Sequence, residues 1–176
     1  MSKWIDFSLK ERKAMIQGVV EARQIDEVAA EKDWWVTTVL YALFHTSVSE
    51  YLLFKGGTSL SKGWDIINRF SEDIDLVLSR DYFLNVKKLS CANCTSNTQI
   101  HNLREKGQDF LFGEFKDELE AKLAELRLNV TVLSDRIQYL MKMENREKCH
   151  TTKTLLCFTC NTPQSTIVRL HMLSRQ

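Results

Sequence analysis

Apolar residues recur at three- and four-residue spacing in two long stretches of the chain, which is the period of an amphipathic helix. The first stretch predicts a helix over 26–47, whose buried face holds Val36, Val39, Leu40, Leu43 and Phe44. The second predicts a helix over 101–127, with one face formed by Phe112, Phe115, Leu119, Leu123 and Leu126. An earlier helix over 9–23 is predicted by Ser8 and Glu11, which have the spacing of a capping box.

Short apolar runs bounded by polar or glycine residues predict strands. They lie at 51–54, 74–78, 128–133, 154–160 and 166–172, and the last two are predicted to form a hairpin. A helix over 58–67 with Thr58 as its N-cap follows the first strand, a loop is predicted over 89–102, and a basic helix over 134–148. Helices that alternate with short strands predict an α/β or α+β domain with a short mixed sheet flanked by helices.

Composition places the chain among ordinary globular proteins. Its 176 residues are 44% hydrophobic and 27% charged, which suits a single domain with a core of its own. The longest apolar run, over 34–44, is too short to cross a membrane, and the first residues lack the apolar segment of a secretion signal. We therefore expect a cytoplasmic protein with no membrane partner and with reduced cysteine thiols.

The near-neutral net charge of +1 is unevenly distributed along the chain. All 23 acidic residues lie within 1–147, whereas 148–176 contains no Asp or Glu. The basic residues of this tail are Lys148, Lys153, Arg169 and Arg175. This shift predicts two parts, a core over 1–147 and an acid-free tail over 148–176.

Two neighbouring features point to phosphate and metal chemistry. Gly56 and Gly57 permit close approach of a ligand to the backbone, and the predicted helix that follows would direct free N–H groups at it. Asp73 and Asp75 are two residues apart on a predicted strand, so both carboxylates face one side, where Mg²⁺ is a natural counter-ion. The alternatives are a plain tight turn and solvated acids that pair with Arg69 or Arg80.

Together these features resemble a known family. Residues 54–62 read FKGGTSLSK and residues 68–76 read NRFSEDIDL, after a lead-in helix that contains EKDWWV at 31–36. These runs resemble the first motif of the AbiEii/AbiGii nucleotidyltransferase toxins, which belong to the DNA polymerase β-like superfamily. The resemblance spans about residues 25–80 and, more loosely, the helix over 101–127. It implies the polymerase β-like nucleotidyltransferase fold for residues 1–147.

The resemblance also implies roles for particular residues. Gly56 and Gly57 would hold the triphosphate of a nucleotide, with a hydroxyl contact from Thr58 or Ser59. Asp73 and Asp75 would be catalytic and ligate Mg²⁺, and Ser71 would support them. The bases that would neutralise phosphate charge are Lys62 and Arg69. For these two, the alternatives are a solvated helix residue at Lys62 and an ion-pair partner of Asp73 or Glu72 at Arg69.

The activity implied is Mg²⁺-dependent transfer of a nucleoside monophosphate from an NTP to an acceptor such as tRNA or another RNA. The setting would be a bacterial toxin–antitoxin or abortive-infection system with a cognate antitoxin. Members of the superfamily usually carry a third carboxylate on a later strand, but 148–176 offers none. A catalytically incomplete remnant or interaction module of the same fold, with a lost or altered frame near 148, is therefore the first alternative.

A third hypothesis is a zinc-stabilised nucleic-acid-binding domain. Two C-x-x-C pairs have the spacing of zinc ligands, at Cys91 and Cys94 and at Cys157 and Cys160. Cys149 and His150 extend the second pair. The alternative is that these thiols simply occupy a loop and the core.

Overall fold

The computed structural model describes residues 4–71, 73–89, 96–128 and 166–170. The α-helices are α1 (Leu9–Arg23), α2 (Glu27–Leu43), α3 (Gly56–Thr58), α4 (Asn97–Phe112) and α5 (Glu114–Glu125). The strands are β1 (Leu52–Lys55), β2 (Ile74–Leu78) and β3 (Thr166–Leu170). Single π-helical turns occupy Ser59–Gly63 and Tyr82–Val86, and short 3-10 turns occupy Trp4–Asp6 and Ser49–Tyr51.

Helix α1 has the bounds that its capping box predicts. The Ser8 hydroxyl accepts a hydrogen bond from the Glu11 backbone N–H, and the Glu11 carboxylate accepts one from the Ser8 N–H. These bonds satisfy backbone donors that the first helical turn leaves free. They also lower the pKa of the exposed Glu11 carboxyl, chiefly through the Ser8 side chain.

Helix α2 begins where the sequence places it, but it ends earlier. The Asp26 carboxylate caps it by accepting from the Ala29 backbone N–H at 2.8 Å. After Leu43 the backbone tightens, because the N–H groups of His45 and Thr46 donate to carbonyls three residues back. The predicted extension to residue 47 is therefore wrong.

The sheet of the described residues is antiparallel in the order β1-β2-β3. Lys55 of β1 lies opposite Asp75 of β2, and Arg169 of β3 lies opposite Asp75 on the other side. The predicted α/β class, a short sheet flanked by helices, is confirmed. Both described pairings are antiparallel, so this part of the sheet is not the mixed sheet that we expected.

The hydrophobic core lies between β2 and the helices α2, α4 and α5. Ile74 and Leu76 of β2 are 0% and 1% exposed and belong to the same buried cluster as the apolar faces of the helices. The helical members of that cluster include Val36, Val39, Leu43, Phe110, Phe115, Leu119 and Leu123. The helical faces predicted from the sequence therefore supply the core, although Leu40 is only partly buried. The predicted burial of Phe44 is wrong: it follows the last residue of α2 and its side chain is 39% exposed.

Two further expectations are corrected. The helix over 101–127 is two helices, because α4 ends at Phe112 and α5 begins after Gly113, whose ψ of −106° is not helical. The predicted loop over 89–102 is helical from Asn97, where Ser96 and Gln99 form a second capping box.

Several predictions lie outside the described residues. They include the strand beyond residue 128, the basic helix over 134–148, the strand over 154–160 with its hairpin, and every residue of the proposed zinc sites. The boundary at 147/148 stays a prediction. Among the helices that are described, none combines the length and the apolar character needed to cross a membrane.

Candidate functional site

The two acidic residues of the motif lie at the start of β2. Asp73 directly precedes the strand, and Asp75 is its second residue. Ile74 and Leu76 are buried in the core, whereas Asp73 and Asp75 are half-buried. Because alternate residues of a strand face opposite sides, β2 holds Ile74 and Leu76 in the core and Asp75 on the other face.

Gly56 lies against the carboxylate of Asp75. Its φ of +74° is in the left-handed region, and a Cβ at this position would overlap Oδ2 of Asp75 and lie 3.1 Å from its Cγ. Only glycine combines this backbone conformation with so close an approach. The predicted turn at Gly56 thus also contacts Asp75 directly.

Gly57 is approached by two more residues that the motif singles out. A Cβ on Gly57 would lie 3.0 Å from Nη2 of Arg69 and 3.3 Å from Oγ of Ser71. The guanidinium and the hydroxyl therefore converge on the open backbone of the second glycine. Both are hydrogen-bond donors, which is the chemistry that a phosphate oxygen requires.

We call Gly56–Thr58 together with the π-helical turn Ser59–Gly63 the glycine helix. It begins at Gly56, two residues before the predicted start, and it ends at Gly63 rather than at residue 67. Thr58 is therefore inside the helix, and its predicted role as N-cap is wrong. π-Helical turns of this kind are frequent at functional sites.

Thr58 and Ser59 are buried, with exposed fractions of 0% and 5%. The Thr58 hydroxyl donates a short hydrogen bond to the backbone carbonyl of Asp73, and the Ser71 carbonyl lies 3.3 Å away. The hydroxyl of Thr58 is thus engaged with the acid-bearing segment. Its predicted contact with a nucleotide remains untested.

Lys62 contacts residues of α2 rather than the residues around Gly57. Its ammonium forms an ion pair with Asp33 of α2 at 2.7 Å and donates to the Thr37 hydroxyl at 2.9 Å. Sequence reasoning missed both partners. The available signal was their four-residue spacing, which places them on one face of α2.

The donor set suits Mg²⁺. Asp73 and Asp75 carry hard carboxylate oxygens of the kind that Mg²⁺ binds, and Asp75 lies directly against the backbone of Gly56. Among the described residues, no group of three or more His, Cys, Asp or Glu residues is arranged to hold a metal ion. A pair of carboxylates with room for substrate oxygens is nevertheless a common Mg²⁺ arrangement.

Comparison with known proteins agrees with this geometry. The family model described as "Nucleotidyl transferase AbiEii toxin, Type IV TA system" matches residues 38–153, well over half of the chain. The match includes the glycine helix and both aspartates, and it ends before β3. No curated protein and no solved structure gives a significant match. The resemblance read from the motifs is confirmed: the chain belongs to the AbiEii nucleotidyl transferase toxin family of type IV toxin–antitoxin systems.

Proposed function

We propose that this protein transfers a nucleoside monophosphate from an NTP to an acceptor in a Mg²⁺-dependent reaction. The observation that carries the proposal is that the two adjacent glycines lie against Asp75 on one side and against Arg69 and Ser71 on the other. Gly56 abuts the carboxylate of Asp75, and Gly57 faces Arg69 and Ser71. This arrangement supports a triphosphate bound at Gly57 next to a metal ion bound at Asp75.

In this proposal each residue has a separate task. Asp73 and Asp75 hold Mg²⁺, which when bound supplies neutralisation of the triphosphate charge. Arg69 and Ser71 orient a phosphate group over Gly57 by hydrogen bonding. The oxygen of the acceptor hydroxyl forms a bond to the α-phosphorus and its proton passes to water. The bond from that phosphorus to the oxygen that bridges the α- and β-phosphates breaks, and pyrophosphate leaves with that oxygen.

Family membership supports the toxin–antitoxin setting, whereas the acceptor is our proposal. A toxin of a type IV toxin–antitoxin system implies an antitoxin partner. We propose RNA as the acceptor, with tRNA as the first candidate, and the cytoplasm as the location. These details rest on the resemblance of the motifs rather than on a contact in the fold.

The test incubates the protein with NTPs labelled at the α-phosphate, Mg²⁺ and bulk RNA. Wild-type protein should label RNA, whereas Asp73→Asn and Asp75→Asn should each lower the rate by about 10³-fold. Asn preserves shape and removes charge, and circular dichroism should show both variants folded. Labelling by both variants at the wild-type rate would contradict the proposed site.

A specific observation favours a second candidate, a chain that binds nucleotide but does not transfer it. Strand β3 pairs with β2, and the residue opposite Asp75 on it is Arg169. The resemblance implies a third carboxylate on a later strand beside the two aspartates, and β3 has a base at that register. This candidate predicts NTP binding without transfer in the wild type. It also predicts that Arg169→Asp gains measurable transfer. Transfer by the wild type would eliminate it.

A further inference from the structure

Thr58 connects the two segments of the candidate site by a hydrogen bond. It follows Gly57 in the glycine helix, yet its hydroxyl donates to the carbonyl of Asp73, fifteen residues further along the chain. The Ser71 carbonyl, 3.3 Å from the same hydroxyl, lies in the same segment. One fully buried side chain thus connects the glycine helix, which would bind phosphate, to the segment of Asp73 and Asp75, which would bind the metal ion.

The bond fixes the point at which the acid-bearing segment enters β2. The Asp73 carbonyl is covalently adjacent to Ile74, which is 0% exposed, and Asp75 follows. A shift of this carbonyl would therefore move the carboxylates of Asp73 and Asp75 relative to Gly56 and Gly57. Displacements of about 1 Å in a site of this kind lower rates by about 10²-fold.

We propose that Thr58 is a positioning residue, whose hydroxyl holds the glycine helix in register with the Asp73–Asp75 segment. This inference rests on the proposed function for its effect on the reaction. Its structural part does not. A buried hydroxyl that donates to a main-chain carbonyl cannot be replaced by an apolar group without leaving that acceptor without its donor.

Two matched pairs separate the hydroxyl from the rest of the side chain. Thr58→Val keeps the branched shape and removes the hydroxyl, and Thr58→Ser does the reverse. Thr58→Ala differs from Thr58→Ser only in the hydroxyl. Thr38→Val is the control, because Thr38 is 2% exposed and donates to a main-chain carbonyl, that of Trp34 at 2.9 Å, within its own helix.

The first readout is kinetic. In the Val and Ala variants kcat should fall about 10- to 100-fold, with a smaller change in KM for the NTP, because the groups are present but displaced. The Ser variant and Thr38→Val should retain kcat within about threefold. If kcat fell equally in Thr58→Ser and Thr58→Ala, the inference would be overturned. It would also be overturned if kcat of Thr58→Val were unchanged.

The second readout is amide hydrogen exchange, which needs no activity. Exchange at 57–61 and 73–76 should be about tenfold faster in Thr58→Val than in wild type, and unchanged in Thr58→Ser and Thr38→Val. Equal exchange in Val and wild type overturns the inference. If Thr58→Val does not fold, the same comparison is made between Thr58→Ser and Thr58→Ala, and equal exchange in these two variants overturns the inference. A wild type that transfers no nucleotide would defeat the proposed function, and the exchange data would still decide the role of Thr58.

Discussion

Helix α5 and the glycine helix are held in the fold by opposite kinds of contact. The inner face of α5 consists of Phe115, Leu119 and Leu123, each no more than 1% exposed. The buried residues of the glycine helix are Thr58 and Ser59, both polar. Its ties to the rest of the fold include the Thr58 bond to the Asp73 carbonyl and the ion pair between Lys62 and Asp33.

This difference indicates that α5 contributes mainly to the stability of the fold, whereas the glycine helix fixes the geometry of the candidate site. Hydrophobic burial is strong and non-directional, so it stabilises α5 without fixing atoms to a fraction of an ångström. Hydrogen bonds contribute less net free energy, but they specify distance and direction. We therefore expect substitutions in α5 to change the free energy of unfolding, and substitutions at the glycines and at the buried Thr58 of the glycine helix to change the reaction.

The largest effect on stability should come from Leu119→Ala. The side chain is 0% exposed, and its loss should lower the free energy of unfolding by about 2–5 kcal/mol through lost burial and a residual cavity. Denaturant titration measures this, with Leu53→Ala, at a side chain 57% exposed, as the control. Transfer per folded molecule should stay near wild type. A loss below about 1 kcal/mol would show that α5 is not a stabilising element.

Gly56→Ala should affect both quantities. Its Cβ would overlap the carboxylate of Asp75, and its backbone is left-handed, so we expect about 1–3 kcal/mol of destabilisation and a large loss of transfer. The control is Gly18→Ala in α1, where a Cβ meets nothing within 4 Å. That change should stabilise by about 0.5–1 kcal/mol. Equal behaviour of the two alanine variants would refute the close approach of Gly56 to Asp75.

Arg69 and Lys62 provide a sharper comparison, since the sequence motif assigns phosphate to both. Arg69→Met should raise KM for the NTP about tenfold, because its guanidinium lies at Gly57. Lys62→Met should leave KM within about twofold and cost less than about 1 kcal/mol of stability, because Lys62 pairs with Asp33 at a partly exposed position. Steady-state kinetics of both variants decides. A larger KM effect at Lys62 than at Arg69 would reverse these assignments.

The smallest effect concerns Glu31 of α2, outside the site. Burial raises the pKa of this carboxyl, and the Trp35 side chain and the Arg12 charge oppose the rise. A raised pKa means that the folded protein holds the proton more tightly than the unfolded chain does. Stability from this group is therefore full below the ordinary pKa of 4.5 and is lost as pH rises through the folded value.

Glu31→Gln should consequently raise the unfolding midpoint at pH 7, on the order of 1 °C. The gain should shrink as pH falls toward 4. Thermal unfolding at several pH values measures it, with Glu21→Gln on an exposed position of α1 as the control. A gain that grows on acidification would have the wrong sign.

The sequence predicted those elements whose signals are local. Ser8 and Glu11 give the start of α1, because a capping box involves only neighbouring backbone groups. Apolar periodicity also predicts the buried face of α5. It does not reveal the break at Gly113, because Phe112 and Phe115 keep the helical spacing across it.

The candidate site was predictable as a set of residues and not as an arrangement. The motif names Gly56, Gly57, Asp73 and Asp75, and the structure places Asp75 at Gly56 and both Arg69 and Ser71 at Gly57. Their roles in binding nucleotide and metal stay predictions. Thr58 was expected to cap a helix, and Lys62 to meet phosphate. In the structure Thr58 contacts Asp73 and Lys62 contacts Asp33, both of which are distant in sequence. Contacts of this kind cannot be predicted from the pattern of neighbouring residues.

The most direct test of the central claim compares the fate of two labels. Wild-type protein receives Mg²⁺, bulk RNA and an NTP labelled at either the α- or the γ-phosphate, with Asp75→Asn in parallel. We predict that the α-label enters RNA, that the γ-label appears in pyrophosphate, and that Asp75→Asn loses both signals. Entry of the γ-label into RNA, or of neither label with wild-type protein, would contradict nucleotidyl transfer at this site.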